Sequence, residues 1–395
     1  MSSSDIRYIP MPSTLVDPVH GRGPSLARLV GAACPVRRTN AAAVVGHMIG
    51  DEPITLVDSG TSALVLAFRA GGISPGDEVI VPTFNCPQVA DAVIRVGAVP
   101  VLCDVDAASG VASAATAAAV LTSRTRGVVI THQFGVLQRE SIELASWGRD
   151  AGLVVVDDAA QAFGCKLDGH LAGGLGHFGV LSFGPSKPLS AGGGGALVGV
   201  EIGDPPAARN ASAEWRAAAV SSIQRHPTVR RVIRRPAPRA RFTDVKAALE
   251  AKPTEVPDPS GMYMWNERLL LEQAEHWREI TASRADRLRR LSSFVSGGGI
   301  QLMRRSDESS NHAFAWLRVP ADQRFDIGSS LSRAGYQCSW YHLPLHRISR
   351  YSRFARGSVQ GSEALWPTIL QVPCRGLSSR RLEQLGRFLR GHEHA

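Results

Sequence analysis

The sequence predicts an α/β protein, with a large domain on a mainly parallel sheet carrying helices on both faces and a smaller C-terminal α+β domain. Three observations carry this. Apolar runs at 54–57, 98–101, 127–131, 153–156 and 180–183 have the unbroken Val/Ile/Leu character of strands covered on both sides. Helix-length segments separate them, the alternation expected of a parallel sheet with crossover helices. The 395 residues suffice for one such domain and a second, smaller one.

Residues 1–45 are irregular, with prolines at 10, 12, 18, 24 and 35, and read as an N-terminal arm. The large domain is expected over 46–268. Its first strand, 54–57, leads into Asp58-Ser59-Gly60-Thr61-Ser62 and a helix through 63–70. Small hydroxyl residues at that point supply cap acceptors, and the same hydroxyls and amides make an anion site. A turn and strand follow at 76–82, and then the runs at 98–101 and 127–131.

The stretch 153–199 organises the rest. The run 153–156 ends on Asp157 and Asp158, at a strand's carboxyl end, where ligands bind in open α/β sheets. A second run, 180–183, leads to Lys187, set between Pro185 and Pro188 beside the cluster Gly192–Gly195; a third follows at 196–200. An acid and a lysine on neighbouring strand ends suit pyridoxal phosphate. That cofactor needs a lysine to form a Schiff base and an acid to keep its ring nitrogen protonated. The plain alternative is a solvated surface pair, which the proline- and glycine-bounded setting of Lys187 disfavours.

Residues 201–259 are rich in arginine and proline, densest at RRVIRRPAPRARF over 230–242. The C-terminal domain is expected over 269–395. It begins with one long amphipathic helix over 269–295, followed by a strand at 313–319, a helix at 325–334, strands at 335–341 and 370–373, and a last helix at 378–389.

Composition narrows the class. Apolar content of 44% and charged content of 20% are those of a globular protein, and no apolar run approaches a membrane span. The first residues lack the basic region and apolar core of a signal peptide. Six cysteines, at 34, 86, 103, 165, 338 and 374, form no CxxC pair, so neither a disulfide framework nor a metal site is expected, and reduced thiols in the cytoplasm are. The net charge of +9 follows no nucleic-acid motif, which disfavours nucleic acid as a partner. It fits either a solvated basic face or attraction of an anionic small substrate.

Asp157-Asp158-Ala159-Ala160-Gln161-Ala162, followed by Ser182-Phe183-Gly184-Pro185-Ser186-Lys187, resembles the DegT/StrS-type sugar aminotransferases, a branch of the fold-type I pyridoxal phosphate enzymes. That family carries E-D-A-A-Q and then S-F-x-x-x-K. The resemblance continues in Ser59-Gly60-Thr61-Ser62-Ala63-Leu64 (S-G-T-x-A-L) and in 76–82 (G-D-E-V-I-V-P). Thr131-His132-Gln133-Phe134-Gly135 stands where relatives have V-H-L-Y-G. It covers about 50–200 well and 260–390 loosely. It implies Lys187 as the Schiff-base lysine and Asp158 as the partner of the ring nitrogen. Gly60, Thr61, Ser62 and Ser182 become phosphate ligands, and Gln161 orients the cofactor.

Two departures stand out. Cys86, in Thr83-Phe84-Asn85-Cys86-Pro87, occupies the place of the aromatic that stacks on the ring, and reads as a packing group. The family's G-Y-N-Y-R-M, whose asparagine reaches the neighbouring subunit's phosphate, is replaced by 260–266, where Asn266 lies one helical turn late and is the candidate substitute. Trp340-Tyr341-His342-Leu343-Pro344-Leu345-His346 resembles Y-P-x-P-L-H, which makes Tyr341 and His346 substrate-side candidates. The resemblance implies a homodimer with shared sites. It also implies transfer of an amino group from glutamate or glutamine to a keto-sugar, nucleotide-linked, or to a keto-cyclitol, in amino-sugar or secondary-metabolite biosynthesis. Lys187 stands where the family's dehydratase branch has histidine, which disfavours dehydration. Another pyridoxal phosphate reaction on an amino-acid-derived substrate (elimination, decarboxylation or carbon–carbon bond chemistry) stays open because of Cys86 and the missing motif.

Overall fold

Period-two alternation along each buried run builds the central sheet. The computed structural model describes residues 7–8, 39–203, 243–244, 256–295, 299–303, 308–336, 338–339, 342–372 and 377–391. Seven strands form the sheet: β1 (Ile54–Val57), β2 (Glu78–Pro82), β3 (Val99–Cys103), β4 (Thr125–Thr131), β5 (Val154–Asp158), β6 (Phe178–Ser182) and β7 (Gly195–Val198). Their order is β1-β7-β6-β5-β4-β2-β3, and only β7 runs against the others. Successive side chains leave opposite faces. Ile80, Val128, Ile130 and Val155 therefore join one core, and Val79, Val81, Val129 and Val156 the other.

Helices cover both faces. Against the first core pack α1 (Ala41–Met48) and α4 (Arg139–Asp150); against the second pack α2 (Gly60–Ala70) and α3 (Pro87–Arg95). Sheets covered in this way are buried on both sides, which is why their strands read as near-continuous apolar runs. The strands predicted for this sheet all appear, shifted by at most a few residues at their ends. The basic segment at 230–242 lies outside the described residues.

The long helix expected over 269–295 is two helices, α5 (Met264–Glu275) and α6 (Trp277–Ser292), broken at His276. The His276 ring bonds the Glu272 carbonyl at 2.9 Å, taking an acceptor of the helical ladder. The break turns Trp277 inward, edge-on to Phe163 with ring centroids 5.1 Å apart. The strand expected at 335–341 is reduced, among its described residues, to one antiparallel bridge between Ser339 and Gln371.

A second, antiparallel sheet holds β8 (Gln301–Leu302), β9 (Ala315–Arg318) and β10 (Ile369–Val372). With α6, α7 (Arg324–Arg333) and α8 (Ser379–Gly391) it encloses a third core that includes Leu291, Leu317, Leu331, Leu370 and Leu385. Strand β9 is shared: Ala315 and Leu317 face this core, whereas Trp316 meets Phe134 of the large unit at 5.0 Å. Residues 343–366 also belong to the large unit, for Leu343, Leu345, Ile348, Tyr351 and Leu365 are buried with β2 and β3.

An ion cluster stitches that segment down. Glu78, fully buried at the start of β2, accepts from Arg356 at 2.8 and 3.0 Å, Arg124 at 2.7 Å and Thr122 at 2.6 Å. The Arg356 hydrogen bonds hold its carboxyl at about 2, against the opposing pull of burial. A depressed carboxyl contributes stability above its unfolded pKa and loses it as pH falls through the folded one. Glu78 is thus expected to supply up to about 3 kcal/mol that disappears between pH 4.5 and about 2. Urea unfolding of the wild type and Glu78→Gln across that range checks this: their stabilities should converge at the acid end, and a constant gap would contradict it.

Candidate active site

The carboxyl ends of β2, β4, β5 and β6 converge on the sequence-predicted residues. Asp157 and Asp158 close β5, and as adjacent strand residues they point to opposite sides. Asp157 is fully buried and accepts three hydrogen bonds, from His132 Nε2 at 2.5 Å and from the Gly173 and Leu175 amides at 2.7 and 2.9 Å. Asp158 is half-buried and accepts the Ala160 amide at 3.0 Å. Burial pushes its carboxyl above the ordinary range, and the positive charge of Lys187 pulls it back. One aspartate is thus anchored, and the other is presented to the site.

Lys187 sits in the turn after β6, where its amide donates to Gly184 O at 3.0 Å. Arg284 fixes the following residue by donating to Pro188 O at 2.8 Å. Cys86, at the N-cap of α3, comes within range of both charges. Burial raises its thiol pKa, Lys187 lowers it and Asp158 raises it. Lys187, Asp158 and Cys86 are therefore brought together from three separate elements. Next to Cys86, Asn85 is buried with its Nδ2 unpartnered, while its Oδ1 accepts the Cys86 amide at 2.7 Å.

The expected anion end falls at the start of α2. Ser59 is its N-cap and accepts the Ser62 amide at 3.1 Å; the two hydroxyls are 2.9 Å apart. Gly60 and Thr61, in the first turn, have amides with no intrahelical acceptor. Ser182 faces them closely: a Cβ on Gly60 would lie 2.9 Å from Ser182 Cβ and 3.2 Å from its Oγ. Gly195 is equally confined, since a Cβ there would come within 2.6 Å of the Ser59 carbonyl and the Gly60 nitrogen. Ser59 is a member of this group that the motif comparison passed over, and its signal was the N-cap position itself.

Gln161 follows β5 in the turn, and its carbonyl accepts Asn311 Nδ2 at 2.7 Å. Asn266, the candidate substitute for the cross-subunit asparagine, donates to Ala191 O at 2.8 Å in its own chain and braces the glycine loop beside Gly193. His346 has both ring nitrogens engaged, with Thr83 Oγ1 at 2.7 Å and Glu363 Oε1 at 2.6 Å. Tyr341 lies outside the described residues. Of that segment, His342 feels the charge of Lys187. Burial and the charge of Lys187 push its imidazole down to about 4. Its signal was available in the sequence: it stands where the Y-P-x-P-L-H pattern has its first proline.

These residues fit pyridoxal phosphate. A carboxylate held by one backbone amide suits a protonated ring nitrogen. A capped helix N-terminus with a facing serine, too tight for any Cβ, suits a phosphate.

Known proteins agree. The chain is 44% identical over 140 residues to a UDP-N-acetyl-3-dehydro-alpha-D-glucosamine 3-aminotransferase of Acidithiobacillus ferrooxidans, a stretch covering 35% of this chain and 38% of that protein. It is 39% identical over 142 residues to the L-glutamine:scyllo-inosose aminotransferase of Streptomyces griseus, covering 36% and 33%. The matched stretches thus span about a third of these relatives' lengths. In fold it resembles the PLP form of a putative sugar aminotransferase, Spr1654 of Streptococcus pneumoniae, with a TM-score of 0.73 at 17% identity over 97% of this chain and 98% of that one. The sequence profile of the DegT/DnrJ/EryC1/StrS aminotransferase family matches residues 41–251, more than half of the 395, and the chain belongs to that family.

Proposed function

We propose that the protein is a pyridoxal-phosphate-dependent aminotransferase that moves an amino group from glutamate or glutamine to a keto-sugar, nucleotide-linked, or to a keto-cyclitol. The observation that carries this is the meeting of Lys187 and Asp158 at adjacent strand ends, where the lysine's charge pulls the Asp158 carboxyl down, with the Ser59–Ser62 helix start facing Ser182. The names of the two relatives support the acceptor class.

When bound, pyridoxal phosphate supplies a ring that withdraws negative charge from the reacting carbon. Asp158 would keep the ring nitrogen protonated. Gly60, Thr61 and Ser182 would hold the phosphate by amides and a hydroxyl, beside the Ser59 cap that accepts the Ser62 amide. Gln161 would orient the cofactor, and Cys86 would pack beside it. Lys187 Nζ would serve as general base and then general acid, moving a proton from and back to the reacting carbons. The protein works as a homodimer in the cytoplasm. Among the described residues no helix is long and apolar enough to cross a membrane.

The test is the absorbance spectrum of cofactor-loaded protein before and after glutamate or glutamine. Conversion to the pyridoxamine form by either donor, reversed by a keto-sugar or keto-cyclitol, is expected. A spectrum that both donors leave unchanged would overturn the proposal.

A further inference from the structure

The turn that carries Lys187 is held at both ends from one helix, α6. Its leading end is Phe183, fully buried, whose amide donates to Gly194 O and whose carbonyl accepts the Ala191 amide, each at 2.9 Å. Phe183 lies edge-on to Phe163 with ring centroids 6.4 Å apart, and Phe163 lies edge-on to Trp277 of α6 at 5.1 Å. Trp277 packs directly on Gly164, where a Cβ would come within 2.6 Å of its Nε1. The trailing end is Pro188, whose carbonyl accepts Arg284 Nη2 at 2.8 Å. About two turns of α6 separate Trp277 from Arg284, which puts both on one face. The guanidinium carbon stands over the Trp277 ring, 5.5 Å from its centroid.

Arg284 is only 3% exposed. A charge at that depth is costly unless its hydrogen bonds are met. An apolar residue would fill the same space, yet it would take this donor away from the carbonyl next to Lys187. The flat fork of the guanidinium meets a ring face and a carbonyl together, which a lysine ammonium does not reproduce. The pyrrolidine ring already fixes the φ of Pro188. Holding its carbonyl as well leaves the Lys187–Pro188 peptide little freedom. From the other direction the Lys187 amide donates to Gly184 O at 3.0 Å. The main chain of Lys187 is thereby set from both sides.

We propose that Arg284 is a positioning residue for proton transfer by Lys187: through the Pro188 carbonyl it sets the lysine's main chain, and so the aim of Nζ at the reacting carbon. The inference rests on the aminotransferase reading and deepens it by a residue that acts through the backbone. Proton transfer is sensitive to such aim, for a misplacement of about 1 Å can cost about 100-fold in rate.

Arg284→Met and Arg284→Lys are compared with the wild type, and absorbance of the bound cofactor shows that each is folded and loaded. Donor conversion is followed in single turnovers with whichever of glutamine and glutamate converts the wild type, unlabelled and deuterated at Cα, the carbon whose bond to the transferred proton breaks. Arg284→Met should slow conversion by about 100-fold and raise the deuterium isotope effect. Half-saturation by the donor should stay within about threefold of wild type, because the bonds lost are not bonds to substrate. Arg284→Lys, with the charge kept and the fork lost, should fall between. A second readout needs no activity: in cofactor-free Arg284→Met the Lys187 and Ala191 amides should exchange hydrogen about tenfold faster or more, while those of β5 keep their wild-type rates. If Arg284→Met does not fold, Arg284→Lys carries both measurements. A lower urea stability with unchanged conversion and isotope effect, or Lys187 and Ala191 amides that exchange at wild-type rates, would overturn the inference alone. Failure of both donors to convert the wild type would instead overturn the underlying reading, and this one with it.

Discussion

Lys187→Ala is expected to lower amino transfer by about 10⁴-fold and to abolish the absorbance of covalently held cofactor, while the fold survives. The side chain is half-buried in a turn whose backbone is fixed without it, by the Gly184 carbonyl on one side and the Arg284–Pro188 bond on the other. Truncation therefore removes an amine and leaves its scaffold. The same amine sets the electrostatics of Asp158, Cys86 and His342, so its loss should also be legible in the variant: the His342 imidazole, relieved of a nearby cation, should titrate above its wild-type value of about 4. Steady-state rates and a histidine NMR titration check the two statements. Activity within tenfold of wild type would remove Lys187 from the chemistry.

The adjacent aspartates are expected to fail in opposite ways. Asp157→Ala strands three buried donors, His132 Nε2 and the Gly173 and Leu175 amides, and should cost about 3–5 kcal/mol of stability, read by urea unfolding. Asp158→Ala gives up one backbone hydrogen bond and a carboxylate that burial already disfavours, so stability should change little. Its cost should fall on rate, about 10²–10³-fold, with weakened cofactor retention. Equal stability losses for the two, or a fully active Asp158→Ala, would show that the roles were divided wrongly.

Much of this was written in local sequence. The buried strands showed themselves because a sheet covered on both faces needs apolar residues at every position, Asp158 because it ends one, and Lys187 because it stands in the turn after another. The capped helix start was legible in Ser59-Gly60-Thr61-Ser62 because capping is a short-range matter. Three features were not. That Asp157 is the anchored aspartate depends on His132, twenty-five residues away, and on a turn at 173–175. The break at His276 arises where Trp277 finds Phe163 and Gly164, contacts that no helical period announces. Residues 343–366 pack into the large unit rather than the small one because Asp104, after β3, accepts the Gly361 and Ser362 amides and Glu78 takes Arg356. Each depends on partners far apart in the chain.

The attachment of the 342–347 segment divides labour between neighbours. Thr83, Leu345, His346, Arg347 and Glu363 fasten it, and none of these bonds involves the side chain at 342. Thr83 is therefore a single clasp between segments 263 residues apart in the chain. A change there is felt on both sides at once, at the strand end that leads to Cys86 and at the turn that carries Leu345 and His346.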